Sequence, residues 1–270
     1  SCETGAGTCY HYRIHDKIHR LHDDGGSTIK PLSVPMPINN TVPPVLSTPR
    51  TREPQYQECV EAVSARGFER LGLRSSQSWH DDPKHILFRL SRYKFVAKML
   101  AGSEHVLEIG CGDAFGTRIV QQEVKSLSAT DFDALFIDDV KARMVDRWRF
   151  PAFTHDLLAG PVPGSYDGIF ALDVLEHILP KDEKIFLSNA FASLSPVGVG
   201  IIGMPSLESQ TYASPTSRAG HVNCKSMPAL KSLMQNYFHN VFMFSMNDEV
   251  VHTGYYPMAH YVLALGANRK

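Results

Sequence analysis

The sequence predicts an α/β fold in which a mostly parallel sheet is covered by helices on both faces. Three observations carry this. From about residue 105 onward, short apolar runs alternate with apolar residues at helical spacing, and such alternation makes parallel strands joined by crossover helices. The run 106–109 is followed at once by Gly110, Gly112 and Gly116 and then by a helical pattern; strand, glycine turn and helix in that order let a nucleoside ligand lie against bare backbone. The last two apolar runs, 240–246 and 259–265, have no helical pattern between them, so they are expected to pair antiparallel through the loop 247–258.

Taken in order, residues 1–50 stand apart as an extension. Residues 10–24 carry His11, His15, His19 and His22 beside an Ile14, Ile18, Leu21 stripe. That spacing puts the imidazoles on one helical face. They are read either as a metal site or as the edge of an amphipathic helix. No second Cys/His cluster completes a familiar ligand spacing, so no metal is assigned. Residues 25–50 hold Gly25, Gly26 and six prolines from Pro31 to Pro49, and read as an extended linker.

Residues 51–100 read as a helical, substrate-side lid. Tyr56, Val60 and Val63 are at helical spacing and Gly67 is a stop signal. Asp82 can cap a second helix and Pro83 fits its first position. Its apolar face is Ile86, Leu90, Tyr93, Ala97 and Leu100. The interspersed Arg89, Arg92, Lys94 and Lys98 read as a solvated face, with an anionic substrate group near Arg89 or Arg92 as the alternative.

Residues 101–270 form the core. Strand 105–109 leads to a helix over 113–125. Strand 127–130 leads to a helix bearing Ile137, Val140, Met144 and Trp148. A short strand at 152–154, strand 166–171, helix 181–194 and strand 198–203 follow. Ser226 can cap a helix bearing Leu230, Leu233, Met234 and Tyr237 before the final two strands. Seven strands are expected in all.

Composition narrows the function. The chain is 43% hydrophobic and 20% charged, as an ordinary globular protein is. Lys plus Arg number 27 against 28 for Asp plus Glu, so no global field attracts nucleic acid. No apolar run approaches the roughly 20 residues needed to span a bilayer, and no signal peptide is legible. Five scattered cysteines, Cys2, Cys9, Cys59, Cys111 and Cys224, argue against a disulfide scaffold and for a reducing, cytoplasmic setting.

Four motifs in order then resemble those of class I S-adenosylmethionine-dependent methyltransferases, over about residues 80–270. They are Glu108-Ile109-Gly110-Cys111-Gly112; Ala129-Thr130-Asp131-Phe132-Asp133; Thr154-His155-Asp156-Leu157-Leu158; and the stretch from Tyr166 to Ile178 that contains Leu172-Asp173-Val174-Leu175-Glu176-His177. Gly220-His221-Val222-Asn223 is a weaker fifth match. The resemblance implies a Rossmann-like sheet and S-adenosyl-L-methionine as cofactor. It implies that Gly110 offers its carbonyl to the methionine ammonium, with Glu108 setting the local negative charge, and that Leu172 and Asp173 lie under the methionine portion. Leu157 would pack on the base. The residues agree on their own terms. Asp131 lies 19 positions past Gly112, where an acid ending the second strand can accept both ribose hydroxyls. Phe132 can wall the adenine, and Asp156 can accept from its amine. Cys111 reads as a small packing residue within the glycine turn. Asp113 and Asp133 read as helix caps.

The acceptor is expected to be a polar small molecule or glycan precursor, methylated at oxygen by in-line displacement. His177 and His221 are the candidate bases; each also has a structural reading. Loops 204–224 and 247–258 are dense in polar and aromatic groups, and Glu208, Tyr212, His252 and Tyr255 are the candidate acceptor contacts. Two other readings stay open. An NAD-dependent oxidoreductase is weakened by the G-x-G-x-x-x-G spacing and by Glu108, which would repel a pyrophosphate. A non-catalytic interaction module of this fold is weakened by the intact cofactor residues. Oligomeric state is not legible.

Overall fold

A computed structural model describes residues 49–270. The His-bearing helix and most of the Pro-rich stretch expected in residues 1–50 lie outside the described residues. The chain divides into two compact units between Ala65 and Arg66. The described part of the first holds a 3-10 turn, Pro54–Tyr56, and most of α1 (Gln57–Arg66), in which no residue is buried. The helix stops before Gly67, whose φ is +75°, as the stop signal predicted.

The second unit opens with α2 (Leu73–Asp81) and α3 (Pro83–Met99). The α/β alternation follows: β1 (His105–Ile109), α4 (Thr117–Gln121), β2 (Ser126–Asp131), α5 (Ala134–Arg143), β3 (Ala152–Thr154), β4 (Tyr166–Leu172), α6 (Glu183–Ala192) and β5 (Leu194–Pro205). After α7 (Pro215–Gly220) and α8 (Met227–Met234) come β6 (Phe238–Asn247), β7 (Val250–His252) and β8 (Tyr261–Arg269). The sheet order is β3-β2-β1-β4-β5-β8-β6-β7. The first five are parallel to one another, and β8 runs antiparallel to both β5 and β6.

Side-chain alternation along the strands fills two apolar layers, as a sheet covered on both faces requires. Leu107, Ile169 and Ile202 face α6 and α8, whose Phe186, Phe191, Leu230 and Met234 are buried against them. Val106, Phe170 and Ile201 face the opposite way, toward Val96 of α3, Leu100 just after it, Val120 of α4 and Ile137 of α5. Asp133 caps α5, accepting from the Leu135 amide, and Ser226 caps α8, accepting from the Ala229 amide.

Four details differ from the sequence expectation. The described residues form eight strands, because the segment read as the loop 247–258 contains β7. Asp248, at φ +47°, turns the chain in two residues, and Asn247 pairs with Val250. Helix α4 is shorter than 113–125: Asp113 does not cap it, its carboxylate accepting instead from the amide and hydroxyl of Ser75 on α2. Asp82 precedes α3 without making a side-chain cap bond. Helix α2 had no apolar stripe to read, since Ser75 is its one buried residue.

The join between β5 and β8 depends on two facing glycines. Gly200 pairs with Gly266, and a Cβ on either would come within 2.7 or 2.3 Å of the Phe238 ring. That ring is fully buried and meets Phe191 edge-on. Gly266→Ala is therefore expected to lower unfolding stability by about 1–3 kcal/mol through overpacking, measured by urea denaturation against a substitution at exposed Val197. A Gly266→Ala protein as stable as the parent would show that this packing is not tight.

Candidate active site

The carboxyl ends of β1, β2, β3 and β4 surround a cavity of about 560 Å³. The crossover geometry decides this location: loops leaving parallel strands gather on one edge. Gly110 leaves β1 at φ +71°, and a Cβ there would strike Val174 at 2.3 Å, so only glycine lets the two loops close on each other. Gly112, at φ +53°, has nothing within 4 Å of where a Cβ would stand. Its bare backbone faces open space on the cavity wall.

Asp131 ends β2. Its Oδ2 accepts from the Gly112 amide at 2.8 Å and its Oδ1 from the Asp133 amide at 3.0 Å. These two bonds aim the carboxylate along the cavity wall and leave each oxygen further lone-pair capacity. Phe132 beside it is 77% exposed on that wall, a flat apolar face left uncovered among the described residues. Asp156 is oriented by the Leu158 amide, which donates to its Oδ1 at 2.8 Å. Leu157 is buried behind it.

Of the ten cofactor residues expected from the sequence, Gly110, Gly112, Asp131, Phe132, Asp156, Leu157 and Asp173 line this cavity. Cys111 and Leu172 line a small adjoining recess that shares Gly110, Gly112 and Asp173 with it. Glu108 lines neither. It is sealed beneath the glycine turn, where Tyr93 donates to Oε1 at 2.7 Å and Thr117 to Oε2 at 2.6 Å. Burial pushes its carboxyl up to about 7, against the two hydroxyl bonds that lower it. Burial also pushes the Cys111 thiol up, which makes it a packing group and not a nucleophile.

Asp173, at φ +57°, accepts a bidentate bond from Arg92 at 2.9 and 2.7 Å. Burial by itself would raise the Asp173 carboxyl; the Arg92 guanidinium outweighs it and holds the group below the usual carboxylate range. Arg92 is buried, which corrects the reading of it as part of a solvated face. Arg89 is half-buried and donates to Ser75 at 3.2 Å.

His177 stands on the cavity wall and His221 behind it, ring centroids 5.2 Å apart. His177 Nδ1 lies 2.9 Å from the Gly220 carbonyl, and His221 Nδ1 lies 2.9 Å from Gln210 Oε1. A carbonyl oxygen only accepts, so each Nδ1 carries a proton and Nε2 is the ring nitrogen left without a carbonyl partner. Burial, then the neighbouring His177, lower the His221 pKa. Glu176 lies beneath them, 1% exposed. Burial, then the Asp173 charge, push its carboxyl well above the usual range.

Glu208, Tyr212, His252 and Tyr255 are not brought to the cavity wall. His252 is occupied within its own hairpin, by Asn247 Oδ1 at 2.7 Å and the Gly254 amide at 3.0 Å. Tyr212 and Tyr255 stand exposed. The sequence reading missed Arg74, Phe136 and Phe186, which do line the cavity. Arg74 sits on the unpredicted helix α2, while Phe136 and Phe186 were legible only as members of helices.

Glu108 makes stability depend on pH. A carboxyl raised from 4.5 to about 7 on folding contributes stability that is whole below its unfolded value and lost as pH rises through 7. The loss is on the order of 3 kcal/mol. Glu108→Gln, which can still accept at one oxygen, is expected to flatten the fall in unfolding free energy between pH 5 and pH 8 by about that amount. Urea titrations at the two pH values check it; an unchanged slope would mean Glu108 is ionised at little cost.

Comparison with known proteins agrees with this geometry. A family model described as a methyltransferase domain matches residues 107–199. A protein of Mycolicibacterium smegmatis described as "Probable S-adenosylmethionine-dependent methyltransferase" is 30% identical over 114 residues, 42% of this chain and 42% of that protein. The match thus spans less than half the length of that relative. Among solved structures, the N-methyltransferase NodS from Bradyrhizobium japonicum WM9, in complex with S-adenosyl-L-homocysteine, superposes with a TM-score of 0.57 at 18% identity, covering 77% of this chain and 97% of NodS. The DhpI complex with S-adenosyl-L-homocysteine gives 0.53 at 15% identity, covering 71% and 90%. At such identities the structures establish the fold. The sheet order, the glycine turn at the end of β1 and the matched segment agree: residues 107–199 carry a methyltransferase domain, on the fold of S-adenosylmethionine-dependent methyltransferases.

Proposed function

We propose that this chain transfers a methyl group from S-adenosyl-L-methionine to an oxygen of a polar small molecule or glycan precursor. The observation that carries the reading is the cavity wall, where the bare Gly112 backbone, the aimed Asp131 carboxylate and the exposed Phe132 face lie together. A nucleoside needs an acceptor for its ribose diol and a flat apolar surface for its base, and these residues fit both. Asp156 is set to accept from the adenine amine, with Leu157 behind it. Gly110 and Asp173, with Leu172 and Cys111 in the recess, form the methionine end. The buried Glu108 braces this end from beneath through its bonds to Tyr93 and Thr117.

S-adenosyl-L-methionine supplies, when bound, a methyl group already activated on a sulfonium. What remains for the protein is alignment and exclusion of water. Helices α2 and α3, which bring Arg74, Arg89 and Arg92 to this edge, act as the substrate-side cover. At the other side of Asp173, His177 and His221 present Nε2, the nitrogen whose lone pair in an imidazole can accept a hydroxyl proton. An oxygen acceptor is preferred because this pair has no role with an acceptor that is already a free base. A balanced net charge of −1 favours a small acceptor over nucleic acid. No helix among the described residues is long and apolar enough to cross a membrane, and Cys59, Cys111 and Cys224 are free thiols, which supports a reducing, cytoplasmic setting.

Two measurements test this. Calorimetry is expected to show that the chain binds S-adenosyl-L-homocysteine and that Asp131→Ala weakens it tenfold or more, about 1.4 kcal/mol. Binding of NAD in preference would overturn the reading. With radiolabelled donor and a panel of hydroxyl and amine acceptors, His177→Ala is expected to lower turnover of a hydroxyl acceptor by about 10²–10⁴-fold while leaving homocysteine-nucleoside affinity unchanged. Equal turnover would remove His177 from the chemistry.

A further inference from the structure

Three side chains from two loops meet beside the cavity. Glu176 and His177 lie on the 3-10 turn Leu175–His177 that follows β4, and His221 follows α7. One ligand-type atom from each lies within 4.8 Å of the others. His177 Nε2 is 4.0 Å from Glu176 Oε1. Both carboxylate oxygens of Glu176 are sealed from solvent, and neither has a hydrogen-bond partner among the described residues. A buried polar group left in that state is costly and marks a missing partner.

The imidazoles are prepared for one. Each Nδ1–H is spent on a carbonyl oxygen, Gly220 O for His177 and Gln210 Oε1 for His221. The Gln210 amide is itself fixed, donating to the Ser206 carbonyl at 3.1 Å. A ligating histidine is oriented in this way, its far nitrogen held by a carbonyl and its near nitrogen bare. The backbone reinforces the meeting point. The Glu176 carbonyl accepts from the amides of Val222 and Asn223 at 2.8 and 3.0 Å, so the residue whose carboxylate lies beneath also pins the chain that carries His221. Asp173, the next acid, is engaged by Arg92 and does not join the set.

We propose that Glu176, His177 and His221 bind one divalent first-row transition ion such as Mn²⁺, Co²⁺ or Zn²⁺. Two imidazole nitrogens and one carboxylate oxygen suit that group of ions and leave further coordination positions open. An ion held at about 2.1 Å by each ligand needs ligand atoms roughly 3.0–3.5 Å apart, so binding draws the three together by about an ångström. The His177 side chain, 44% exposed, has room to turn. The use of the site rests on the proposed function. An acceptor hydroxyl entering an open position loses its proton to solvent more readily. Its oxygen then forms the new C–O bond as the bond from sulfur to methyl breaks. With the ion bound, the Nε2 lone pairs that would otherwise take the acceptor's proton are spent on the metal, and the histidines act on that proton through it.

The test reads ion binding directly. The full chain, with His11, His15, His19 and His22 replaced by Gln so that their imidazoles do not compete, is stripped with a chelator and titrated with Co²⁺, followed by its visible absorption. Mn²⁺ binding is followed by electron paramagnetic resonance. One equivalent is expected. Glu176→Gln, His177→Ala and His221→Ala are each expected to abolish it or weaken it at least tenfold, while His239→Ala, on the exposed side of β6, leaves it intact. Thermal unfolding and S-adenosyl-L-homocysteine affinity report whether each variant is folded. Should Glu176→Gln fail to fold, the two histidine variants carry the result. Folded variants that bind Co²⁺ as the parent does, or a parent that binds none, overturn the site and leave Glu176 as a neutral, protonated acid. A parent that binds S-adenosyl-L-homocysteine but no ion defeats this inference alone. A parent that binds no S-adenosyl-L-homocysteine defeats the methyl-transfer reading whatever the ion does.

Discussion

The Arg92 guanidinium lies under the carboxyl edge of the sheet, with both oxygens of Asp173 at 2.9 and 2.7 Å on one side and the Tyr261 ring 3.8 Å from its central carbon on the other. The next residue, Tyr93, reaches Glu108 at 2.7 Å. Two adjacent positions of α3 thus anchor the helical cover to the ends of β4 and β1, the two central strands of the edge. A buried ion pair stabilises little on balance, since desolvation offsets most of the attraction. Loss of one partner, by contrast, typically costs about 3–5 kcal/mol. Such a pair therefore specifies position more than it adds stability.

Asp173 shows what this anchoring permits. It holds a left-handed backbone conformation without being glycine, which typically costs on the order of 1–3 kcal/mol. It persists because its carboxylate is gripped by Arg92 and its amide donates to the Gly203 carbonyl at 3.0 Å. The bend turns Val174 against the Gly110 position and brings His177 to the cavity wall, with Glu176 buried beneath it. Conformation, charge and reach of this loop are consequences of one pairing. Asp113 works the same way at the other loop: tied to Ser75 of α2 by two bonds and by its carbonyl to Arg143, it holds the glycine turn open under the cover.

Much of the cavity wall at the strand ends was legible in the linear chain, because its determinants are local. Glycine at 110 and 112, an acid at the end of β2 and an acid after β3 each sit at a strand end, and strand ends of a parallel sheet converge. The contribution of the later loops and of the helices before β1 was not legible. Polar loops looked alike in sequence, yet His252 is spent inside its own hairpin and Tyr212 and Tyr255 point to solvent, while Arg74 reached the cavity from a short helix with no apolar stripe. Arg92 looked like one cation among four on a helix. Its burial depends on Asp173, 81 residues away, and no periodicity reports such a partner.

The chain by itself determined the alternation of strands and helices, the antiparallel last strand and the carboxylates at the strand ends. These follow from apolar period, turn residues and capping groups within a few positions of one another. Only the tertiary structure decided that Glu108 is sealed under the glycine turn, that Arg92 is an anchor, and that Glu176, His177 and His221 share one point. Those outcomes turn on burial and on partners distant in sequence. Solvation and distance are properties of the folded packing, and the order of residues along the chain does not contain them.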